Sequence, residues 1–391
     1  MFRRAALLCF AVIVSSTAAL ADQKPNTLSP DELNDGWILL FDGETTFGWK
    51  ANSDANWKID GGVISVDSGA KGLLNTTTQF GDFALKLDFR ADRKTNSGVF
   101  LRTSTQPSDP AVDCYELNIA APEVSPFFTG SFVGREEARE TSPSSDWRTF
   151  HVEAVGGHFR VSLDGEEVLD YVDEKPLGRG YIGLQFNSGK VEFRNIKLKP
   201  LSLESIFNGK DLAGWKEFPG KKSKFSVTPE GEINVKNGNG QLEYQTPVAD
   251  FVLQLEIISN GQFLNSGIFF RNIPGEFWQG YESQIQNGYL GSRTVPIDYG
   301  TGAFYRRQKA RKVVPDDFQW FHKTLVVEGP HMATWVNGYQ VTDWTDTRDP
   351  HENPRNGLRL EAGTITIQGH DPTTDLSFRD IALGHIPPRE P

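Results

Sequence analysis

Along most of the chain the hydrophobic residues recur at every second position. In "FALKLDF", Phe83, Leu85, Leu87 and Phe89 share one face while Lys86 and Asp88 take the other, which is the alternation of a half-buried strand. "VSLDG" (161–165) and "TWVNG" (334–338) end in Asp-Gly and Asn-Gly, pairs that accept positive φ and predict hairpin turns. No long amphipathic helix is predicted, although Pro30–Asn34 has the composition to begin a short one. Roughly a dozen short strands in each half, separated by glycine turns, predict an all-β chain of sandwich or jelly-roll type. The last strand of each half changes phase: Val191 and Phe193 give way to Ile196 and Leu198, and Leu376 and Phe378 to Ile381 and Leu383. A β-bulge near Arg194-Asn195 and near Arg379-Asp380 accounts for both slips.

These patterns occur twice. "LFDGETTFGWK" (40–50) answers "IFNGKDLAGWK" (206–216), "FGDFALKLDF" (80–89) answers "VADFVLQLEI" (248–257), and "NSGVFLR" (96–102) answers "NSGIFFR" (265–271). "CYELNI" (114–119) pairs with "GYESQI" (280–285), and "TGSFV" (129–133) with "TGAFY" (301–305). A repeat the length of a domain is a tandem duplication rather than a solenoid. The expected division is a leader at 1–21, an N-terminal segment at 22–35, a first jelly-roll domain at 36–201, a second at 202–387 and a tail at 388–391. So short a linker predicts that the halves pack closely.

The first residues, "MFRRAALLCFAVIVSSTAALADQ", have a basic start, a short apolar run and Ala19-Leu20-Ala21 at a cleavage position. That is the layout of a secretory signal peptide rather than a membrane anchor, and it predicts export to a periplasm or cell exterior. Its removal takes two Arg and no acid, lowering the formal charge from −11 to −13. Such acidity argues against nucleic acid or an anionic membrane as partner. Only Cys114 remains, so no intrachain disulfide forms and the cores must hold the fold.

Strand parity gathers polar residues on one face of the second half. Glu282 and Gln284 alternate with Tyr281, Ser283 and Ile285; Arg271 opposes Ile268 and Phe270; Gln368 and His370 oppose Ile365 and Ile367. Tyr305 joins them by the same alternation. Paired amides, charges and a ring suit the vicinal hydroxyls and flat faces of a sugar. The plainer alternative is a Glu282–Arg271 cross-strand ion pair on a solvated face, with Gln368 and His370 bonding turn backbone. The "NSG" tripeptides read as bends or bulges, and "YRRQKARK" (305–312) as a solvated basic loop rather than an anion site. Asp371 and Asp375, in "HDPTTD", are weak candidates for a divalent cation, without spaced Cys/His or a calcium-loop signature. No cofactor is otherwise indicated.

With these motifs in this order, both halves resemble the 3-keto-disaccharide hydrolase family, whose members are similar to concanavalin A-like lectin/glucanase jelly rolls. The resemblance implies a glycoside or oligosaccharide substrate, Glu282 and His370 as catalytic acid and base in either order, and Arg271, Gln284, Tyr305 and Gln368 as substrate-binding residues. It further implies that the first half is degenerate: Arg102, Glu116 and Gln185 are kept, but Asn118 stands for the Gln, Val133 for the Tyr and Asn187 for the His. The implied reaction removes the C2 proton of a 3-keto glycoside, eliminates the C1 oxygen and adds water. Two other functions fit the same chain: a pair of lectin-like modules that bind glycan without cleaving it, and an envelope scaffold.

Overall fold

The computed structural model describes residues 24–139 and 144–389; the expected leader at 1–21 lies outside them. Among the described residues each half carries thirteen strands, in an eight-stranded and a five-stranded antiparallel sheet packed face to face. The strand Phe83–Ala91 pairs along its length with the closing strand Val191–Pro200 and with Arg148–Val155, while Phe251–Ser259 sits likewise between Asp375–His385 and Phe321–Glu328. The chain is two jelly-roll β-sandwiches in tandem.

Local chemistry explains the elements. Pro30–Asn34 is the short helix, opened by a capping box between Ser29 and Glu32, which satisfies backbone donors at its start. Asp164-Gly165 and Asn337-Gly338 both take positive φ at the predicted hairpins. The phase slips are bulges, with register shifts after Arg194 and across Arg379–Ala382, and with Asn195 and Asp380 at positive φ. One expectation fails in detail. The "NSG" tripeptides are mostly strand rather than bend: Asn96–Thr103 begins with the first and Ser266–Asn272 begins at the serine of the second, and Ser97 and Ser266 donate to the Gln185 and Gln368 carbonyls at 2.7 Å.

The halves share buried apolar surface. Val252, Val326, Ala333 and Trp335 of the second half join the first half's hydrophobic core, and the Trp335 indole, 1% exposed, donates to the Leu39 carbonyl at 2.9 Å. Arg311 bonds Asp42, Thr77 bonds Asp343 and Gln79 bonds Glu328 across the seam. The basic run at 305–312 is therefore only partly solvated, because Arg311 is a wedge between the halves. At the other end Ile386 enters the first core, and Arg389 donates to the carbonyls of Arg102, Asp113 and Arg179. No helix among the described residues is long and apolar enough to cross a membrane.

Candidate functional site

The outer face of the second half's five-stranded sheet is built in rows. Register sets Gln241 beside Gln368, and Gly267 beside Gln284; the next row sets Glu243 beside Thr366, Thr366 beside Phe269, and Phe269 beside Glu282. Parity therefore places Glu282, Gln284 and Gln368 on one face, as expected, because the period of two is unbroken through Tyr281–Ile285 and Gly363–Gly369. The glycine of "NSG" has its reason here. A Cβ on Gly267 would stand 2.9 Å from Glu282 Oε1, so only glycine leaves the carboxylate its place.

Glu282 is 6% exposed. Burial pushes its carboxyl above the ordinary value, against the opposing pull of the Arg355 and His370 charges. Arg355 reaches it at 3.4 Å, lies over the Phe269 ring and donates to the Trp278 carbonyl. Trp278 lies parallel to Phe269 and to His370, with centroids 6.3 and 6.1 Å away, and Phe277 stacks beside it at 4.4 Å. The loop carrying Trp278 is tied to the sheet by Gln241, which accepts from the Trp278 amide, and by Glu243, which accepts from Gly275. His370 Nδ1 meets the Asp371 carboxylate at 2.9 Å. Partial burial pushes Asp371 up, but bonds from Thr373 and His370 hold it below its usual range.

Tyr305 joins the site. Its amide donates to the Glu282 carbonyl, and its side chain lines a pocket of about 230 Å³ with Glu282, Arg307 and Arg355. Gln284 donates to Asp298 at 3.0 Å, while its side-chain Oε1 and that of Gln368 are buried without a partner among the described residues. Unpaired buried acceptors are costly in a closed core, and here they sit beside the glycine gap.

Arg271 does not belong to this face. It is 0% exposed, takes φ +44 and donates to Asp250 at 2.8 Å and to the Ala249 and Arg359 carbonyls. A register shift between Phe269 and Asn272 breaks the alternation at this residue, so parity fails there. Arg102 repeats this arrangement against Asp82 and the Gly81, Gly156 and Leu177 carbonyls, so the arginine after "NSG" clamps the sandwich in both halves. Asp371 and Asp375 separate too: Asp371 holds His370 and Thr373, while Asp375 holds Lys236, Asn234 and Asn260. The described residues contain no group of three metal-ligating side chains.

Sequence reasoning missed Arg355, Trp278 and Lys323. The first two come from loops without periodicity. Lys323 had a signal, since in "FHKTLVVE" it falls in phase with Phe321, Leu325 and Val327 on the core face. It is 1% exposed, and its ammonium donates to the Ser283 and Gln284 carbonyls behind Glu282. Burial pulls it down to about 7, with the Glu282 charge opposing.

The first half keeps the carboxylate and loses most of its company. Glu116, buried, accepts a single bond from Gln185 at 3.0 Å, and burial pushes it up to about 7. Asn118 is spent on Ser125 and the Phe127 carbonyl. Asn187 lines the groove where His370 stands in the other half. Leu73 and Asn75 occupy the places of Gln241 and Glu243, and Phe150 that of Lys323.

Comparison with known proteins agrees with the repeat. A curated 3-keto-disaccharide hydrolase from Bacteroides thetaiotaomicron is 23% identical over 252 residues, covering 49% of this chain and 87% of that protein. A solved Parabacteroides distasonis structure, described as a candidate glycosyl hydrolase, is 22% identical with a TM-score of 0.41, covering 46% of this chain and all of the other. The carbohydrate-binding module CBM66 of Bacillus subtilis is 18% identical with a TM-score of 0.31, covering 39% of this chain and 95% of that one. The model of the 3-keto-alpha-glucoside-1,2-lyase-like domain matches residues 36–199 and again 202–384, so the chain belongs to that family, in two tandem copies.

Proposed function

We propose that the second half cleaves glycosidic bonds of 3-keto glycosides, and that the chain works outside the cytoplasm after loss of its leader. The observation that supports the reading best is the buried Glu282 carboxylate, with Arg355 against it, His370 within electrostatic reach and an aromatic floor beside them. A 3-keto group acidifies the C2 hydrogen. Glu282 removes that proton, and the electron pair passes into an enolate on the ketone oxygen. The enolate collapses to expel the C1 oxygen, which takes a proton from His370 Nε2, the ring being oriented through Nδ1 by Asp371. Water then adds across the new double bond, hydroxyl to C1 and proton to C2, so the net change is hydrolysis. Arg355 offers charge to the developing oxyanion, and Trp278 with Phe277 offers a face for the sugar ring. Ordinary glycosidase chemistry wants two carboxylates flanking the bond, and Asp298, the other acid near Glu282, already accepts from Gln284 and Asn265.

The test is turnover of a 3-keto glucoside in deuterated water. Release of free sugar with deuterium at C2 is expected, and Glu282→Gln lowers the rate by about 10²-fold or more. Sugar binding without release, unchanged in Glu282→Gln, is the outcome of a glycan-binding module and would sink the catalytic reading.

A further inference from the structure

A cleft of about 730 Å³ lies between the halves, larger than the pocket at Glu282. The first half gives it the edge strand Trp49–Ala51, the loop after Asn96–Thr103, and Tyr181. The second gives it one hairpin, through His331, Asp343 and Thr345. Asn52 and Gln106 line both this cleft and the first half's groove of about 410 Å³, where Glu116, Gln185 and Asn187 stand, so the two spaces are neighbours.

The hairpin has a counterpart that shows what is special about it. His158 and Asp170 of the first half form the same ion pair at 2.6 Å, but on an exposed hairpin beside the exposed Val155. In the second half Glu328 replaces that valine, and every acid of the trio is tied to the first half or to the histidine. Asp343 holds His331 and accepts from Thr77, and Glu328 accepts from Gln79 with His331 Nδ1 3.6 Å away. The wall is thus fixed by bonds across the seam, and the shared core around Trp335 keeps the halves from swinging. It is preformed.

Its chemistry selects a ligand. Lys50, Gln106, Tyr181 and Thr345 line the cleft and make no side-chain hydrogen bond among the described residues, which leaves amide, hydroxyl and ammonium donors with hydroxyl and amide acceptors. Asp343 uses one lone pair on each oxygen and has others to offer. Two acids, Asp54 and Asp343, against Lys50 disfavour an anion, and among the lining residues Ala51 and the Tyr181 ring give too little apolar wall for a lipid chain. We propose that the cleft is a second binding site, separate from the Glu282 groove and built only by the tandem arrangement, for a neutral polyhydroxylated ligand such as a disaccharide. Its volume falls in the range that encloses one small ligand. In this arrangement the first half is not an idle copy; it lends walls to a site that a single domain cannot make.

Saturation-transfer NMR on the full chain tests this, with cellobiose, maltose and trehalose as probes at millimolar concentration. At least one is expected to bind saturably. Gln106→Trp, on an exposed loop at the cleft mouth, and Tyr181→Phe should each weaken it about tenfold, with the thermal midpoint kept as a fold control, while Trp278→Ala leaves this binding intact. Absence of binding by all three probes overturns the proposal. So does binding that Trp278→Ala abolishes and both cleft variants spare.

Discussion

The two grooves differ less in their carboxylates than in the cations around them. Glu116 and Glu282 occupy matching rows beside matching glycines, Gly98 and Gly267, and burial raises both. Glu282 has Arg355 and His370 to favour its charged form, with Lys323 behind the strand; Glu116 has an amide. A buried carboxylate alone is a group that keeps its proton near neutral pH. One with cations about it can give that proton up and take another. The outer faces of the sandwiches differ in the same spirit. Val326, Ala333 and Trp335 are buried against the first half, whereas their counterparts Glu153, Arg160 and Ser162 are polar, with Glu153 and Arg160 ion-paired at 2.6 Å in solvent. The duplication made one interface, and the counterpart face is mostly polar, with Val155 and Val172 its exposed apolar residues.

Three measurements press on this comparison. The largest effect is expected at the seam: Trp335→Ala should cost about 3–5 kcal/mol in denaturant unfolding, while Ser162→Ala at the matching place costs less than about 0.5 kcal/mol. Equal losses would mean that the halves stand independently. Next, Glu116→Gln should stabilise the fold at pH 8 by on the order of 2 kcal/mol and leave it unchanged at pH 4. The sign follows from a folded-state value of about 7 against an ordinary 4.5: the native state holds a proton that the unfolded chain releases, so stability falls as pH rises between those values and the glutamine escapes the loss. A variant less stable than the parent at pH 8 would show that the charged form is favoured after all.

The smallest effect concerns Arg355. Arg355→Ala should lower turnover of a 3-keto glucoside at pH 6 by about ten- to a hundredfold, and move the acid limb of the pH–rate profile upward. Removing a positive neighbour raises a carboxyl that must be ionised to act as base. A downward movement would take the base role from Glu282.

Period-two alternation was enough to announce strands, the two bulges, and the shared face of Glu282, Gln284 and Gln368, because side chains on a strand point alternately to its two sides whatever lies beyond. Asp-Gly and Asn-Gly pairs announced the hairpin turns, and motifs recurring in one order announced the duplication. Alternation misled at Arg271, which lies inside the bulge between Phe269 and Asn272 and turns into an ion pair with Asp250. Only the tertiary structure could bring Arg355 and Trp278 to Glu282, since loops carry no period and their places are set by bonds such as those from Gln241 and Glu243. It alone could decide that Lys323, from the opposite sheet, stands behind the site. The cleft between the halves is the extreme case. Its residues lie in two domains and at least 150 positions apart, from Tyr181 to His331, and the packing of Trp335 into the first core is what sets them face to face.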